Sequence, residues 1–369
     1  MNILVMNWQD IKNPLGGGAE VHLHEVFKRI AAMGHGVTLY CSMFPGAKEK
    51  EFIDGIRVIR EGSRNLFNFR VPFAYLTRFR HESFDIVIDD INKIPFYTPL
   101  FVRKPLIGIS HHFFGASIFR EFGIVSGSYV YVAEKLVDFV YKNTPMVTVS
   151  ESTLNEFIQR GFDRSHFTLV PNCIDQMAYP FAVGEKNPRP TVAYFGRVKK
   201  YKSVDHILQA FATVIKSVPN ADLHIIGGGD YIPALQHLAR DLGIEARTTF
   251  FGYVSSEEKI RLLSHAHCVV NSSIKEGWGI INIEANACGT PVVSANVPGL
   301  RDSVKEGQSG LLYEYGNIAQ LAAKITDVLT NETLCSTLSN GAVQWARQFD
   351  WSESAKVMAE LCEKVIGGM

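Results

Sequence analysis

A chain of 369 residues is too long for one compact core, and at roughly 100–200 residues per domain it predicts two. Hydrophobic residues make up 46% and charged residues 20%, the balance of a folded globular protein and not of a disordered one. Lys plus Arg equals Asp plus Glu at 37 each, so net charge gives no reason to expect a nucleic-acid partner.

The opening residues Met1–Asp10 carry neither a basic leader nor a long apolar core, so they read as a first strand and not as a signal peptide. Strand patterns in the first half are Ile3–Met6, Val37–Cys41, Ile56–Ile59, Asp85–Ile88, Leu106–Ile109, Met146–Val149 and Phe167–Val170. Helical patterns between them include Ala19–Met33, Val130–Tyr141 and Ser152–Arg160. A linker composition follows Val170-Pro171-Asn172, with Pro180, Pro188 and Pro190. The second half then repeats the scheme, with strands Thr191–Phe195, Leu223–Ile226, Thr249–Phe251, Cys268–Asn271, Pro291–Ser294 and Gly310–Leu312. Its helices include Val204–Val218, Ile232–Leu242, Glu257–Ser264 and Ile280–Ala287, and a separate helix follows Phe349-Asp350-Trp351. Short, nearly continuous apolar strands alternating with helices predict α/β units with parallel sheets covered on both faces. Such sheets bind ligands beyond the carboxyl ends of their strands, and two facing units would form a central cleft.

The six cysteines, Cys41, Cys173, Cys268, Cys288, Cys335 and Cys362, form no C-x-x-C pair and have no His at zinc spacing. They read as reduced thiols of a cytoplasmic protein. No apolar run approaches the ~18 residues of a membrane span.

Candidate binding residues lie after strands. Strand Ile3–Met6 leads to Gly16-Gly17-Gly18-Ala19-Glu20 and then a helix. Glycines admit close approach of backbone to a ligand, and a helix N-terminus favours an anion. The spacing is neither a P-loop nor G-x-G-x-x-G, and a turn without a ligand is the plain alternative. Strand Thr191–Phe195 leads to Gly196-Arg197, with Lys199, Lys200 and Lys202 following. Arg grips phosphate bidentately and Lys adds a compact charge, whereas Lys199 and Lys200 read as a solvated loop. Gly227-Gly228-Gly229-Asp230 follows a further strand and would let backbone line the same pocket.

The most informative stretch is Asn271–Ala285. It runs strand, loop and helix start, with Glu276, Gly277, Trp278 and Gly279 in the loop and Glu284 about one turn into the helix. The N–H groups of Gly279, Ile280 and Ile281 would form an anion seat. Two carboxylates there suit hydrogen bonds from two different sugars. The alternatives are a solvated loop charge for Glu276 and a helix-dipole partner for Glu284; a glycosidase pair ranks lower.

Taken together, Glu276-Gly277-Trp278-Gly279 with Glu284, Gly16-Gly17-Gly18-Ala19-Glu20, Phe195-Gly196-Arg197 with Lys202, and Gly289-Thr290-Pro291-Val292-Val293 resemble glycosyltransferase family four over nearly the whole chain. The resemblance implies the GT-B type, two Rossmann-like domains with parallel sheets facing a central cleft. It implies an acceptor domain over 1–172 joined by a helix at 352–369, a linker at 173–190 and a donor domain over 191–351. Residues matching Arg197 and Lys202 hold the donor diphosphate in that family, and the one matching Glu284 binds the ribose. Glu276, Gly277 and Trp278 match positions on the transferred sugar, Gly279, Ile280 and Ile281 complete the helix start, and Tyr253 and Val254 match the neighbourhood of the base. Gly17 and Gly18 match a turn by the leaving phosphate. A His after an N-domain strand commonly faces the reacting carbon; His111 is favoured over His112, with a structural His as the other reading. The implied activity is retaining hexosyl transfer from a nucleotide diphosphate sugar, a UDP-sugar or GDP-sugar, to a glycan or lipid-linked acceptor, with no metal or other cofactor. The Asp89-Asp90 pair reads as a strand-end polar pair whose side chains point to opposite faces. Cys173 stands where relatives often carry Gly.

The stretch Gly62–His81 holds Arg64, Arg70, Arg78 and Arg80 with five aromatics and no acid. It suits peripheral contact at the inner face of an anionic membrane. Its other reading is an amphipathic surface helix with a buried aromatic face, and Val71-Pro72 interrupts the pattern. Two other functions stay open for the chain: a non-catalytic nucleotide-sugar-binding scaffold, and a sugar-nucleotide epimerase.

Overall fold

The computed structural model describes residues 1–91, 94–113, 115 and 118–368, apart from the side chains of 119–122 and 124–126. The chain divides into two compact units, Met1–Asn172 with Trp351–Met369, and Cys173–Asp350. Residues 173–190 therefore belong to the second unit, as do all residues up to Asp350.

In the first unit, strands β1 (Asn2–Met6), β2 (Gly36–Cys41), β3 (Lys50–Ile53), β4 (Ile56–Arg60), β5 (Ile86–Ile91), β6 (Leu106–Ser110), β7 (Met146–Thr148) and β8 (Phe167–Leu169) form one sheet. Its order is β3-β4-β2-β1-β5-β6-β7-β8, and every pairing is parallel except β3 with β4. Ile3, Leu4, Val5 and Met6 are all fully buried, as a central parallel strand covered on both faces requires. Helices α1 (Gly18–Ala32), α2 (Phe67–Thr77), α3 (Ile118–Val140) and α4 (Glu151–Gln159) fill the crossovers. In α1, Leu23, Val26, Phe27 and Ile30 make the buried stripe.

The second unit holds β9 (Thr191–Phe195), β10 (Asp222–Ile226), β11 (Thr248–Gly252), β12 (Cys268–Asn271), β13 (Val292–Ala295) and β14 (Gly310–Tyr313). The order is β11-β10-β9-β12-β13-β14, all parallel. Counted from its own first strand this is 3-2-1-4-5-6, the Rossmann order, so its topological switch point falls between β9 and β12. Helices α5 (Val204–Ser217), α6 (Ile232–Asp241), α7 (Ser256–His265), α8 (Ile280–Ala287), α9 (Ile318–Thr330) and α10 (Glu332–Ala346) cover the two faces. Two apolar cores result, one around Val192, Phe211, Leu223 and Ile325, the other around Ala193, Leu263 and Val269. Helix α11 (Trp351–Gly367) belongs to the first unit, where it packs on α1 and Ser354 Oγ donates to Pro171 O at 3.1 Å.

Several expectations need correction. Helix α2 runs straight through Pro72, which the sequence reading takes as an interruption. Helix α3 begins twelve residues before Val130 and breaks at Gly123, whose φ is +72°. Strand β5 extends to Ile91, so Asp89 and Asp90 lie within it, opposite Gly108 and Ile109, and not at its end. No disulfide joins any of the six cysteines, in line with their reading as thiols. Among the described residues no helix is long and apolar enough to cross a membrane.

Candidate functional site

In the second unit the first four strands each end in a loop that carries predicted residues. After β9, Gly196 and the exposed Arg197 lead to a turn holding Lys202, which is buried. After β12 comes the loop with Glu276. The two loops are stitched together: Ser272 Oγ donates to the carbonyls of Lys202 and Ser203, both at 2.9 Å, and Ile274 N–H donates to Tyr201 O at 3.1 Å. The result is a direct ion pair between Lys202 Nζ and Glu276 Oε1 at the switch point. A sequence separation of 74 residues hides that contact.

The loop after β10 packs against the Arg197 turn. A Cβ on Gly227 would lie 2.0 Å from Gly196 O, and one on Gly229 would lie 1.9 Å from Val198 O. Val198 N–H donates to Gly228 O at 2.8 Å. A Cβ on Gly228 would fall 2.2 Å from the Tyr253 ring, so the three glycines let the ends of β9, β10 and β11 meet. Tyr253 is 84% exposed and Val254 half-buried. Lys199 pairs with Asp230 at 2.8 Å on the surface, in keeping with a solvated loop.

The start of α8 differs from the open anion seat expected. Gly279 N–H donates to Gly299 O at 3.2 Å and Ile280 N–H to Trp278 O at 3.1 Å, so two of the three amides are engaged within the chain. Gly299, at φ +79°, is held so close that a Cβ would fall 2.0 Å from Glu276 O. Beneath this loop Asn282 donates to Ser294 Oγ (3.2 Å) and Ser303 Oγ (2.9 Å), while Asn271 donates to Asn282 Oδ1 (3.2 Å), a buried network that fixes the helix start. Trp278 packs on Phe349 with ring centroids 5.3 Å apart, and its buried Nε1 has no hydrogen-bond partner among the described residues. Ile281 packs against the second of the two cores. Glu284 is bound on one oxygen by two residues the sequence reading missed: Tyr179 OH donates to Oε1 at 2.5 Å and Lys259 Nζ at 2.8 Å.

In the first unit, Gly17 precedes the first turn of α1, but its N–H is taken by Glu20 Oε2 at 2.6 Å. That carboxylate fills the position expected to be open for a ligand anion. Burial raises the Glu20 pKa, with the Gly17 amide opposing it and Asp90 adding to it. His111 is buried with Nε2 3.0 Å from Asp90 Oδ1, and its carbonyl accepts from Thr153 Oγ1 at 3.1 Å. Burial works to lower the His111 pKa, but Asp90 and then Glu20 outweigh it and the net direction is up. His22 stands edge-on to His111 at 5.2 Å and bonds Val170 O through Nε2 at 2.9 Å. Burial first, then the His111 charge, pushes its pKa down to about 3, so it stays neutral with the proton on Nε2. His112 is half-buried on the same loop. Asp90 therefore faces His111, while Asp89 on the other face accepts from Thr98 Oγ1 and Tyr141 OH, both at 2.5 Å. Adjacent strand residues diverge in this way by the pleat.

Residues 16–176 match the model described as Glycosyltransferase Family 4, and residues 175–345 match the model described as Glycosyl transferases group 1. The chain is 24% identical to a glycogen synthase of Mycobacterium tuberculosis, over 98% of this chain and 94% of that one. It is 25% identical to a GDP-mannose-dependent alpha-(1-6)-phosphatidylinositol monomannoside mannosyltransferase of the same organism, covering 94% of both. An Anabaena protein, HepE, solved with UDP-glucose, superposes with a TM-score of 0.73 at 19% identity, over 99% of this chain and 100% of that one. Two family models in chain order, full-length relatives and a shared fold identify the chain as a family four glycosyltransferase of the GT-B type, an enzyme that uses a nucleotide-sugar donor.

Proposed function

We propose that this enzyme moves a hexosyl group, with retention of configuration, from a nucleotide diphosphate sugar to a glycan or lipid-linked acceptor, and that it needs no metal ion. The observation that carries the reading is the arrangement at the switch point, with Arg197 exposed just past the end of β9 and Lys202, in the turn that follows, ion-paired to Glu276. Breaking the bond from sugar to phosphate builds negative charge on the diphosphate and positive charge at the anomeric carbon. Arg197 and Lys202 stabilise the first, the role a metal plays elsewhere. Glu276, with the amides near Gly277 and Trp278, holds the sugar. Glu284 accepts from the ribose, Tyr253 and Val254 lie by the base, and Gly279, Ile280 and Ile281 complete the donor pocket. Gly17 and Gly18 are proposed for the leaving phosphate, which then has to take the Gly17 N–H from Glu20, and His111, in preference to His112, is proposed for the reacting carbon. The leaving phosphate oxygen takes the acceptor's proton, so no separate base is required.

The Mycobacterium mannosyltransferase is named for GDP-mannose and HepE was solved with UDP-glucose, which makes these two nucleotides the first to test. A thermal-shift panel of UDP-, GDP-, ADP- and CDP-sugars decides the base, because a ligand of the folded state raises its apparent stability. One nucleotide class should raise the melting temperature of the parent and not of Arg197→Ala. The same variant should lose on the order of 100-fold in kcat/KM. Release of nucleoside diphosphate only when acceptor is present supports transfer; interconversion of sugars without acceptor identifies an epimerase, and binding without turnover a scaffold. Retention is read from the anomeric proton of the product by NMR, and an inverted product would overturn it. EDTA should leave the rate unchanged.

A lipid-linked acceptor is favoured over a soluble glycan by the exposed apolar side chains of two helices. Phe69 and Phe73 on α2 are 67% and 58% exposed, and Val132 and Phe139 on α3 are 57% and 78% exposed. The two helices are joined by Asn68 Nδ2 donating to Tyr129 OH at 3.3 Å. These side chains are proposed to rest on the inner membrane surface.

A further inference from the structure

We propose that Lys259 and Tyr179 are positioning residues for the nucleotide: they fix and charge-compensate the Glu284 carboxylate so that it accepts both ribose hydroxyls next to an anionic diphosphate. The inference rests on the reading of Glu284 as the ribose acceptor and extends it to two residues that the resemblance does not supply.

Three elements of the second unit converge here. Glu284 comes from α8, Lys259 from α7, and Tyr179 from the irregular segment before β9. Tyr179 OH and Lys259 Nζ both bond Glu284 Oε1, at 2.5 and 2.8 Å, and they bond one another at 2.8 Å. The ammonium group is also held over two rings, 5.3 Å from the centroid of Tyr179 and 5.4 Å from that of Phe195, the last residue of β9. Side-chain exposure is 16% for Lys259 and 14% for Glu284, so the pair is largely withdrawn from bulk solvent.

Two donors on one carboxylate oxygen do two things. They stop rotation of the carboxylate and set its plane, and they leave Oε2 outside these bonds. A vicinal diol needs an acceptor with a fixed plane, since its two hydroxyls donate along nearly parallel directions. A carboxylate that must be re-oriented on binding loses that advantage to entropy. The second effect is electrostatic. A nucleoside diphosphate brings at least two negative charges, and an uncompensated carboxylate in the same pocket would repel it. Lys259 offsets that charge without taking up the oxygen that faces away from it. Lys202 and Glu276 repeat the device on the neighbouring loops. Burial and the Glu284 charge raise the Tyr179 pKa far above its ordinary value, so the phenol remains a donor at every working pH.

The test measures dissociation constants of UDP and GDP, each beside its 2′,3′-dideoxy counterpart, on the full chain by calorimetry. The ratio of dideoxy to ribo constants reports the hydroxyl contacts alone. In the parent the preferred base should show a ratio of ~10 or more, the value of about one charge-assisted hydrogen bond or better. Glu284→Gln should reduce it toward 1. Lys259→Met and Tyr179→Phe should each reduce it at least threefold, and Lys259→Arg should restore most of it. Tyr179→Phe is nearly isosteric, so its result stands even if Lys259→Met folds poorly. A ratio unchanged in Lys259→Met and Tyr179→Phe, but lost in Glu284→Gln, would overturn the positioning role and leave the ribose reading intact. A parent ratio of 1 would remove both.

Discussion

At the scale of single residues, the buried charges of the first unit differ in what they contribute. Asp89 is completely buried, and burial is the largest influence on it, raising its pKa from 3.8 to about 6 against the pull of Thr98 and Tyr141. The folded state thus binds a proton that the unfolded chain has already released. The stabilisation linked to this group is fully present below 3.8 and is lost as pH rises through about 6. Above that pH, keeping the carboxylate charged costs roughly 3 kcal/mol. Asp89→Asn keeps an acceptor for both hydroxyls and removes the charge. It should be at least as stable as the parent at pH 7.5 by urea denaturation and should flatten the pH dependence between 4 and 6.5. A loss of more than ~1 kcal/mol at pH 7.5 would show that the ionised form is needed. Arg60 is the opposite case. Its side chain is wholly buried, with Nε 2.6 Å from Asp10 Oδ2, Nη2 2.9 Å from Oδ1, and Nη1 2.6 Å from Glu51 Oε1. Arg60→Met would strand the Asp10 carboxylate in the interior, so a loss of ~3–5 kcal/mol is expected on the same urea curves. A loss under ~1 kcal/mol would mean that Asp10 finds water or another partner.

At the scale of elements, the glycines after β10 are what let the loops after β9, β10 and β11 approach. Gly227 has φ +128° and a would-be Cβ overlapping Gly196 O, with no flexible side chain that can yield. Gly227→Ala should therefore push the Arg197 turn outward. Donor affinity should fall by ~10-fold or more while the fold persists, visible as retained far-UV circular dichroism with a lost nucleotide thermal shift. An unchanged shift would show that the turn tolerates displacement. Sequence periodicity alone reveals the apolar strands and most of the helices, because a parallel strand buried on both faces is a short apolar run and little else. The elements that escape it have physical reasons. Strand β3 alternates exposed and covered residues at a sheet edge, with Phe52 75% exposed. Helix α2 carries a proline that local rules read as a stop. The glycine-rich turns and the loop holding Glu276 are legible because backbone approach and helix starts need particular residues at adjacent positions. Tyr179, Lys259, Gly299 and the pairing of Asp90 with His111 are not. Each depends on a partner brought close only by the sheet order, and a single lysine on an amphipathic helix looks like any solvated charge. The occupied amides of Gly17, Gly279 and Ile280 are hidden for the same reason: their acceptors are supplied by tertiary packing or by a side chain whose rotamer the sequence does not state.

At the scale of the whole molecule, 37 basic and 37 acidic residues leave no net charge to draw the protein to a membrane, so any such attraction must be local. The basic stretch along α2 is weaker than its composition suggests. Arg70 and Arg78 both ion-pair with Glu61, at 3.1 and 2.5 Å, an acid immediately ahead of the stretch. Most of the proposed binding energy then has to come from apolar side chains, chiefly Phe69, Phe73, Val132 and Phe139, all more than half exposed. Partitioning of that kind survives salt, whereas a purely electrostatic contact does not, since the Debye length shrinks to about 3 Å at 1 M. Flotation with vesicles of phosphatidylcholine, with and without anionic phosphatidylglycerol, separates the contributions. The parent should float with both mixtures, somewhat better with the anionic one, and lose only that increment at 1 M salt. The double variant Phe69→Ser, Phe73→Ser should lose most flotation in every condition. Because both side chains are exposed, its melting temperature should stay close to that of the parent, and activity on a soluble acceptor should be kept. If the parent floats only with anionic vesicles and only at low salt, the contact is made by arginines and not by the aromatic face. If it floats with neither, or if the double variant floats as well as the parent, the exposed aromatics serve some other surface, and the preference for a lipid-linked acceptor loses its support.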